Sequence, residues 1–80
     1  MAEFAGVVTG AGSGIGRATA EKLLTDGARV AAWDRDPDAL GRFADHPAAI
    51  GVTVDVTDPE QDAAAVEQSR GAWGRIHFLV

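Results

Sequence analysis

With 80 residues, 46% of them hydrophobic and 24% charged, the chain is globular in composition and holds one domain at most, with a core marginal enough to suggest a piece of something larger. A formal net charge of −5, with only seven Lys and Arg, argues against nucleic acid as partner, because affinity for a phosphate backbone comes from basic residues. The absence of cysteine removes disulfides and thiolate metal sites, His46 and His77 stand singly, and no leader or apolar run near ~20 residues points to a membrane, so a cytoplasmic address is expected.

Short β-branched runs alternate with longer stretches of helical period, the mark of repeated strand–helix units and a parallel sheet covered by helices. The first strand is predicted over residues 4–9, where Val7 and Val8 are apolar on both faces, as a buried parallel strand requires. A helix over residues 14–26 follows, with Ile15, Ala18, Leu23 and Leu24 as its apolar stripe and Gly27 as its C-terminal cap. The second strand, residues 29–33, stops at Asp34. Asp36-Pro37 then combines an N-cap with a proline at the first helical position, which predicts a short helix carrying Leu40 and Phe43. A third strand spans residues 49–54. Asp58-Pro59-Glu60-Gln61 repeats the cap-plus-proline signal, with Gln61 placed to complete a capping box, and opens a third helix whose apolar stripe is Ala63, Val66 and Trp73. Residues 76–80 read as a fourth strand. Right-handed crossovers through this β-α-β-α-β-α-β series place the strands in the order 3-2-1-4.

Between the first strand and the first helix lies Thr9-Gly10-Ala11-Gly12-Ser13-Gly14-Ile15-Gly16. A helix N-terminus offers unpaired N–H groups and the positive end of its dipole to a diphosphate, provided that no Cβ atoms block the approach. The spacing discriminates among phosphate loops. A Walker loop needs glycines five apart followed by Lys, and here the first lysine is Lys22. The usual dinucleotide fingerprint needs glycines at offsets 0, 2 and 5, which no starting point in this loop satisfies. Gly10, Gly14 and Gly16 fall at offsets 0, 4 and 6 behind Thr9, the pattern TGxxxGxG.

In that loop the chain closely resembles the short-chain dehydrogenase/reductase family. The resemblance implies an α/β, Rossmann-type doubly wound parallel sheet, of which residues 1–80 would be the N-terminal, adenine-binding half. It implies that Gly10 makes the turn, that backbone N–H groups around Ser13, Gly14 and Ile15 approach the pyrophosphate, and that Gly16 lets the helix pack on the sheet. Asp34 ends the second strand near the ~20-residue spacing at which a carboxylate meets the adenosine ribose, so NAD is expected over NADP. Arg35 beside it offers a cation that softens the preference. Asp55-Val56 matches the family's adenine pair, in which the carboxylate meets the amino group and the next N–H meets a ring nitrogen. Trp73-Gly74-Arg75-Ile76 resembles the family's approach to its fourth strand, with His77 where an aspartate is usual; a buried or edge-facing histidine is expected there.

The family's proton relay uses a tyrosine, a lysine four residues on, a serine and an asparagine. This chain has no tyrosine and no asparagine, and its one lysine is Lys22, in the helix behind the loop. The expectation is therefore the NAD(H)-binding portion of an oxidoreductase that moves hydride between nicotinamide and an alcohol or carbonyl substrate, inactive on its own. The competing expectation is a stand-alone adenosine- or dinucleotide-binding module without redox chemistry. By resemblance the longer protein is a homo-oligomer, often a tetramer. An isolated chain would leave the fourth strand's apolar edge unpaired and dimerise or aggregate through it.

Overall fold

The computed structural model describes residues 4–74 and 76–79; residues 75 and 80, assigned above to the approach to the fourth strand and to its last position, lie outside the described residues, as do residues 1–3. The elements are β1 (Ala5–Thr9), α1 (Gly14–Thr25), β2 (Arg29–Asp34), a 3₁₀ helix (Pro37–Phe43), β3 (Ala49–Thr53), α2 (Pro59–Trp73) and β4 (Phe78–Leu79). All strand pairs are parallel, in the order β3-β2-β1-β4.

Period-two alternation divides the core between the two faces of this sheet. Val8, Val30, Ala32 and Ala49 face one side, where Ala20, Leu23 and Leu24 of α1 and Leu40 and Phe43 of the 3₁₀ helix cover them. Val7, Ala31, Trp33, Val52 and Val54 face the other, under Ala65 and Trp73 of α2. Phe43, Val8 and Val30 are fully buried, and side chains of this kind contribute roughly 1.5–3 kcal/mol each. Trp33, 3% exposed, is the more deeply buried of the two tryptophans on the α2 side. Its indole Nε1–H donates to Ser69 Oγ at 3.0 Å, and the Ser69 hydroxyl donates in turn to the Ala65 carbonyl at 2.8 Å, so the polar atoms of this buried pair are satisfied.

The predicted apolar stripes hold at Leu23, Leu24 and Trp73 and differ elsewhere. In α1 the buried face runs through Gly16, Ala20, Leu23 and Leu24, whereas Ile15 is 87% exposed and Ala18 is exposed too. The reason is the tight approach of Gly16 to the preceding turn, described below, which fixes the rotation of the helix. In α2 the inner positions are Ala65, Ser69 and Trp73, while Ala63 and Val66 face outward. A buried serine that hydrogen-bonds within its own helix is invisible to a count of apolar residues.

The helix ends follow their local chemistry. Gly27, at φ 93°, closes α1 with its N–H on the Leu24 carbonyl and the Ala28 N–H on the Leu23 carbonyl, the two bonds of a Schellman cap. The Asp36 carboxylate accepts the Asp38 N–H and Pro37 opens the next helix, which is 3₁₀. Three residues per turn bring Leu40 and Phe43 onto one face, and the seven-residue element includes Gly41, a poor α-helix former. Asp58 caps α2 by accepting the Glu60 and Gln61 N–H groups. The reciprocal half of the expected capping box is not formed: Gln61 Oε1 accepts from the Asp55 N–H at 2.9 Å, and the Asp58 N–H goes to the Asp55 carbonyl. His77 is exposed at the amino end of β1, its Nδ1 accepting the Ala5 N–H at 3.2 Å and its ring edge-on to Phe4. No helix among the described residues is long and apolar enough to cross a membrane.

Candidate cofactor site

The carboxyl ends of β1, β2 and β3 and the start of α1 meet along one side of the sheet. Thr9 ends β1, and the loop that follows stays tied to β2, because the buried Ala11 donates its N–H to the Trp33 carbonyl at 3.0 Å. Ser13 is the N-cap of α1, yet its side chain makes no capping bond. The N–H groups of Gly14, Ile15 and Gly16 consequently have no hydrogen-bond partner among the described residues. Three amides with the helix dipole behind them form a site suited to an anion.

Absent side chains shape this end of the helix. A Cβ on Gly16 would lie 2.2 Å from the Gly10 carbonyl oxygen, so α1 rests directly on the turn that precedes it. Gly14, at φ +59°, has nothing within 4 Å of the place a Cβ would take, which leaves the space beside the open amides clear.

Gly12 is a residue that the offset pattern passed over. A Cβ there would stand 2.4 Å from Ala39 Cβ and 2.7 Å from Asp34 Oδ2. Its N–H donates to Asp34 Oδ2 at 2.9 Å, while Asp34 Oδ1 accepts the Asp36 N–H at 3.0 Å. The Asp34 carboxylate is thus held by one backbone donor on each oxygen and in turn holds the glycine loop. The only hint of this in sequence is a glycine at one of the loop positions that the TGxxxGxG pattern leaves free.

Gly10, Trp33, Asp34, Arg35, Val54, Asp55, Val56 and Thr57 line a cleft of about 310 Å³. The structure therefore gathers Gly10, Asp34, Arg35, Asp55 and Val56 into one depression, with Ser13, Gly14, Ile15 and Gly16 on the helix start and Thr9 in the strand beneath. Asp55 Oδ1 accepts from both the Thr57 hydroxyl, at 2.6 Å, and the Thr57 N–H, at 3.0 Å. Those two bonds, helped by the charge of Arg35, hold the Asp55 carboxyl below its ordinary range.

Residues 5–80 match the family model for short chain dehydrogenases. The chain belongs to that family. Among curated relatives of this short-chain dehydrogenase chain is the 2-dehydro-3-deoxy-L-rhamnonate dehydrogenase (NAD(+)) of Sphingomonas sp., 36% identical over 100% of this chain and 35% of its own length. A sorbitol dehydrogenase of Cereibacter sphaeroides is 40% identical over 92% of this chain and 30% of its own. Of solved structures, the 3-ketoacyl-(acyl-carrier-protein) reductase from Brucella melitensis, complexed with NADH, superposes with a TM-score of 0.93 at 32% identity, over 98% of this chain and 33% of that one. A short-chain dehydrogenase/reductase from Burkholderia phymatum in complex with NAD gives 0.88 at 38% identity, over 95% of this chain and 29% of that one. This short-chain dehydrogenase chain spans about a third of the length of the curated relatives it matches.

Proposed function

We propose that this chain binds the ADP half of NAD(H), as the cofactor-binding portion of an oxidoreductase that moves hydride between nicotinamide and an alcohol or carbonyl carbon. The observation that carries this reading is the row of open amides at Gly14, Ile15 and Gly16, at the end of a glycine loop that the Asp34 carboxylate holds through Gly12, with Gly10 and Asp34 lining a cleft of adenosine size. The residues present fit the cofactor chemically. The amides suit the diphosphate. Asp34 has lone pairs left for the ribose hydroxyls, and Asp55 Oδ2 with the Val56 N–H suits the amino group and ring nitrogen of adenine.

Asp34 favours NAD because a 2′-phosphate would stand against its carboxylate. A phosphate of nearly two negative charges about 4 Å from a carboxylate in a solvated cleft is repelled by roughly 1.5–2 kcal/mol, about ten-fold or more in affinity. Arg35, next along the chain, reduces that margin. When bound, the nicotinamide supplies the hydride acceptor or donor; this chain's residues anchor and orient the opposite end of the molecule. With no tyrosine here, the groups that move the substrate proton belong to the remainder of a longer protein.

Isothermal calorimetry with NAD, NADP and ADP-ribose tests the reading. NAD and ADP-ribose should bind comparably and NADP roughly ten-fold more weakly. Absence of heat with all three would refute it.

A further inference from the structure

The turn after β3 is braced more heavily than a connection between a strand and a helix needs. Asp55 Oδ1 receives two donors, both from Thr57, which leaves Oδ2 as the oxygen open to a ligand. Gln61 reaches back from the first turn of α2 to accept the Asp55 N–H on Oε1, and its own Nε2–H donates to Asp58 Oδ2 at 3.2 Å. Backbone and carboxylate of Asp55 are therefore fixed from two directions. The next amide, that of Val56, has no hydrogen-bond partner among the described residues. Asp55 and Val56 both line the cleft, so these adjacent residues can offer it one acceptor and one donor in a set order.

A terminal carboxylate torsion is broad and roughly two-fold in an unrestrained side chain, so this order would blur without the brace. We propose that Thr57 and Gln61 are positioning residues that set base selectivity: by fixing Asp55 Oδ2 beside the Val56 N–H, they make the cleft accept a purine with an amino group next to a ring acceptor and reject one with a carbonyl next to a ring N–H. Adenine has the first arrangement and hypoxanthine the second. In hypoxanthine both edges are reversed, so that a carbonyl faces the carboxylate and an N–H faces an N–H. The proposal rests on the reading that adenosine occupies this cleft.

The test compares NAD with nicotinamide hypoxanthine dinucleotide by calorimetry on the full chain and on Thr57→Val, Thr57→Ser and Gln61→Ala. The wild type should prefer NAD by about ten-fold or more, as expected when a mismatched edge leaves polar groups unpaired. Thr57→Val, which keeps the shape and the backbone N–H but loses the hydroxyl, should cut that preference about five-fold, the worth of one ordinary hydrogen bond. Thr57→Ser should restore it, and Gln61→Ala should lower it. Weakening of both dinucleotides by the same factor in Thr57→Val, or an unchanged ratio, overturns the positioning role while leaving dinucleotide binding intact. A wild type that binds neither dinucleotide overturns both.

Discussion

Replacing Gly16 with alanine probes the contact on which the geometry of the site depends. The added Cβ would stand 2.2 Å from the Gly10 carbonyl oxygen, 2.7 Å from the Gly10 carbonyl carbon and 2.9 Å from the Thr9 carbonyl oxygen, where ordinary contact begins near 3.4 Å. All three neighbours are backbone atoms, so no side chain can swing aside. Either α1 retreats by about 1 Å or the turn does, and forced overpacking of this kind costs about 3 kcal/mol. In a domain of this size that lowers Tm by roughly 15 °C, followed by circular dichroism. The retreat also carries the Gly14, Ile15 and Gly16 amides together away from the Gly10 turn and the cleft that Gly10 lines, so NAD affinity should fall by about a hundred-fold even at temperatures where the variant is folded. Gly14→Val is the contrasting variant: its side chain enters open space, so NAD binding should be lost while stability falls only by the smaller amount due to a positive φ, about 1–2 kcal/mol. A Gly16→Ala chain that melts and binds like the wild type would refute the packing of α1 on the Gly10 turn.

Asp34→Ala should narrow the NAD-to-NADP affinity ratio by roughly ten-fold and weaken NAD as well, because the Gly12 N–H loses its acceptor; Asp34→Asn, which can still accept that bond, should narrow the ratio with a smaller loss for NAD, and an unchanged ratio in both variants would return Asp34 to a turn residue. Ser69→Ala should lower stability by about 1–3 kcal/mol in urea unfolding, because the buried Trp33 indole N–H is left without its partner; a change within error would show that water or a shifted backbone takes its place. A carbon-detected titration should put the Asp55 carboxyl below its ordinary value of 3.8 in the wild type, held there by the Thr57 hydroxyl and N–H and by the charge of Arg35, and higher in Thr57→Val. Since the depressed group binds as its anion, NAD affinity should be level above 3.8 and fall as pH drops through the shifted midpoint, and in Thr57→Val that fall should begin at higher pH.

Local chemistry made much of the fold legible. Asp36-Pro37 and Asp58-Pro59 mark helix starts because a carboxylate cap and a proline act within one turn, and Gly27 marks an end because its backbone conformation excludes most other residues. What eluded local reading depends on distant partners. The rotation of α1 is set by a glycine touching a carbonyl across the turn, so Ile15 and Ala18 look like core residues in a linear pattern and are exposed in space. Ser69 belongs to the core only because Trp33 arrives from another strand with a donor to satisfy.

The same division runs through the site. Gly10, Gly14 and Gly16 are readable because a phosphate-binding turn imposes a spacing along the chain. Gly12 becomes significant only once Asp34 and Ala39 are folded against it. Asp34 consequently has a structural role that the sequence does not show. A carboxylate at the end of the second strand reads as a ribose ligand, yet its first partners are the Gly12 and Asp36 amides of the protein itself.

That arrangement bears on how the cofactor would lie. β1 has β2 on one side and β4 on the other, so the connections leaving the sheet's centre diverge there, and in open parallel sheets ligands lie in the crevice at that divergence, across the carboxyl ends of the strands. The cleft proposed for adenosine is lined from the ends of β2 and β3, and the open amides follow the end of β1. A molecule held at both must extend its far end toward β4. The elongated, two-ended shape of a dinucleotide suits that path, whereas a mononucleotide would end at the amides. ADP-ribose binding more tightly than ADP would show that the chain grips beyond its diphosphate anchor; equal affinities would confine its hold to the adenosine and diphosphate and leave the far end to the rest of the longer protein.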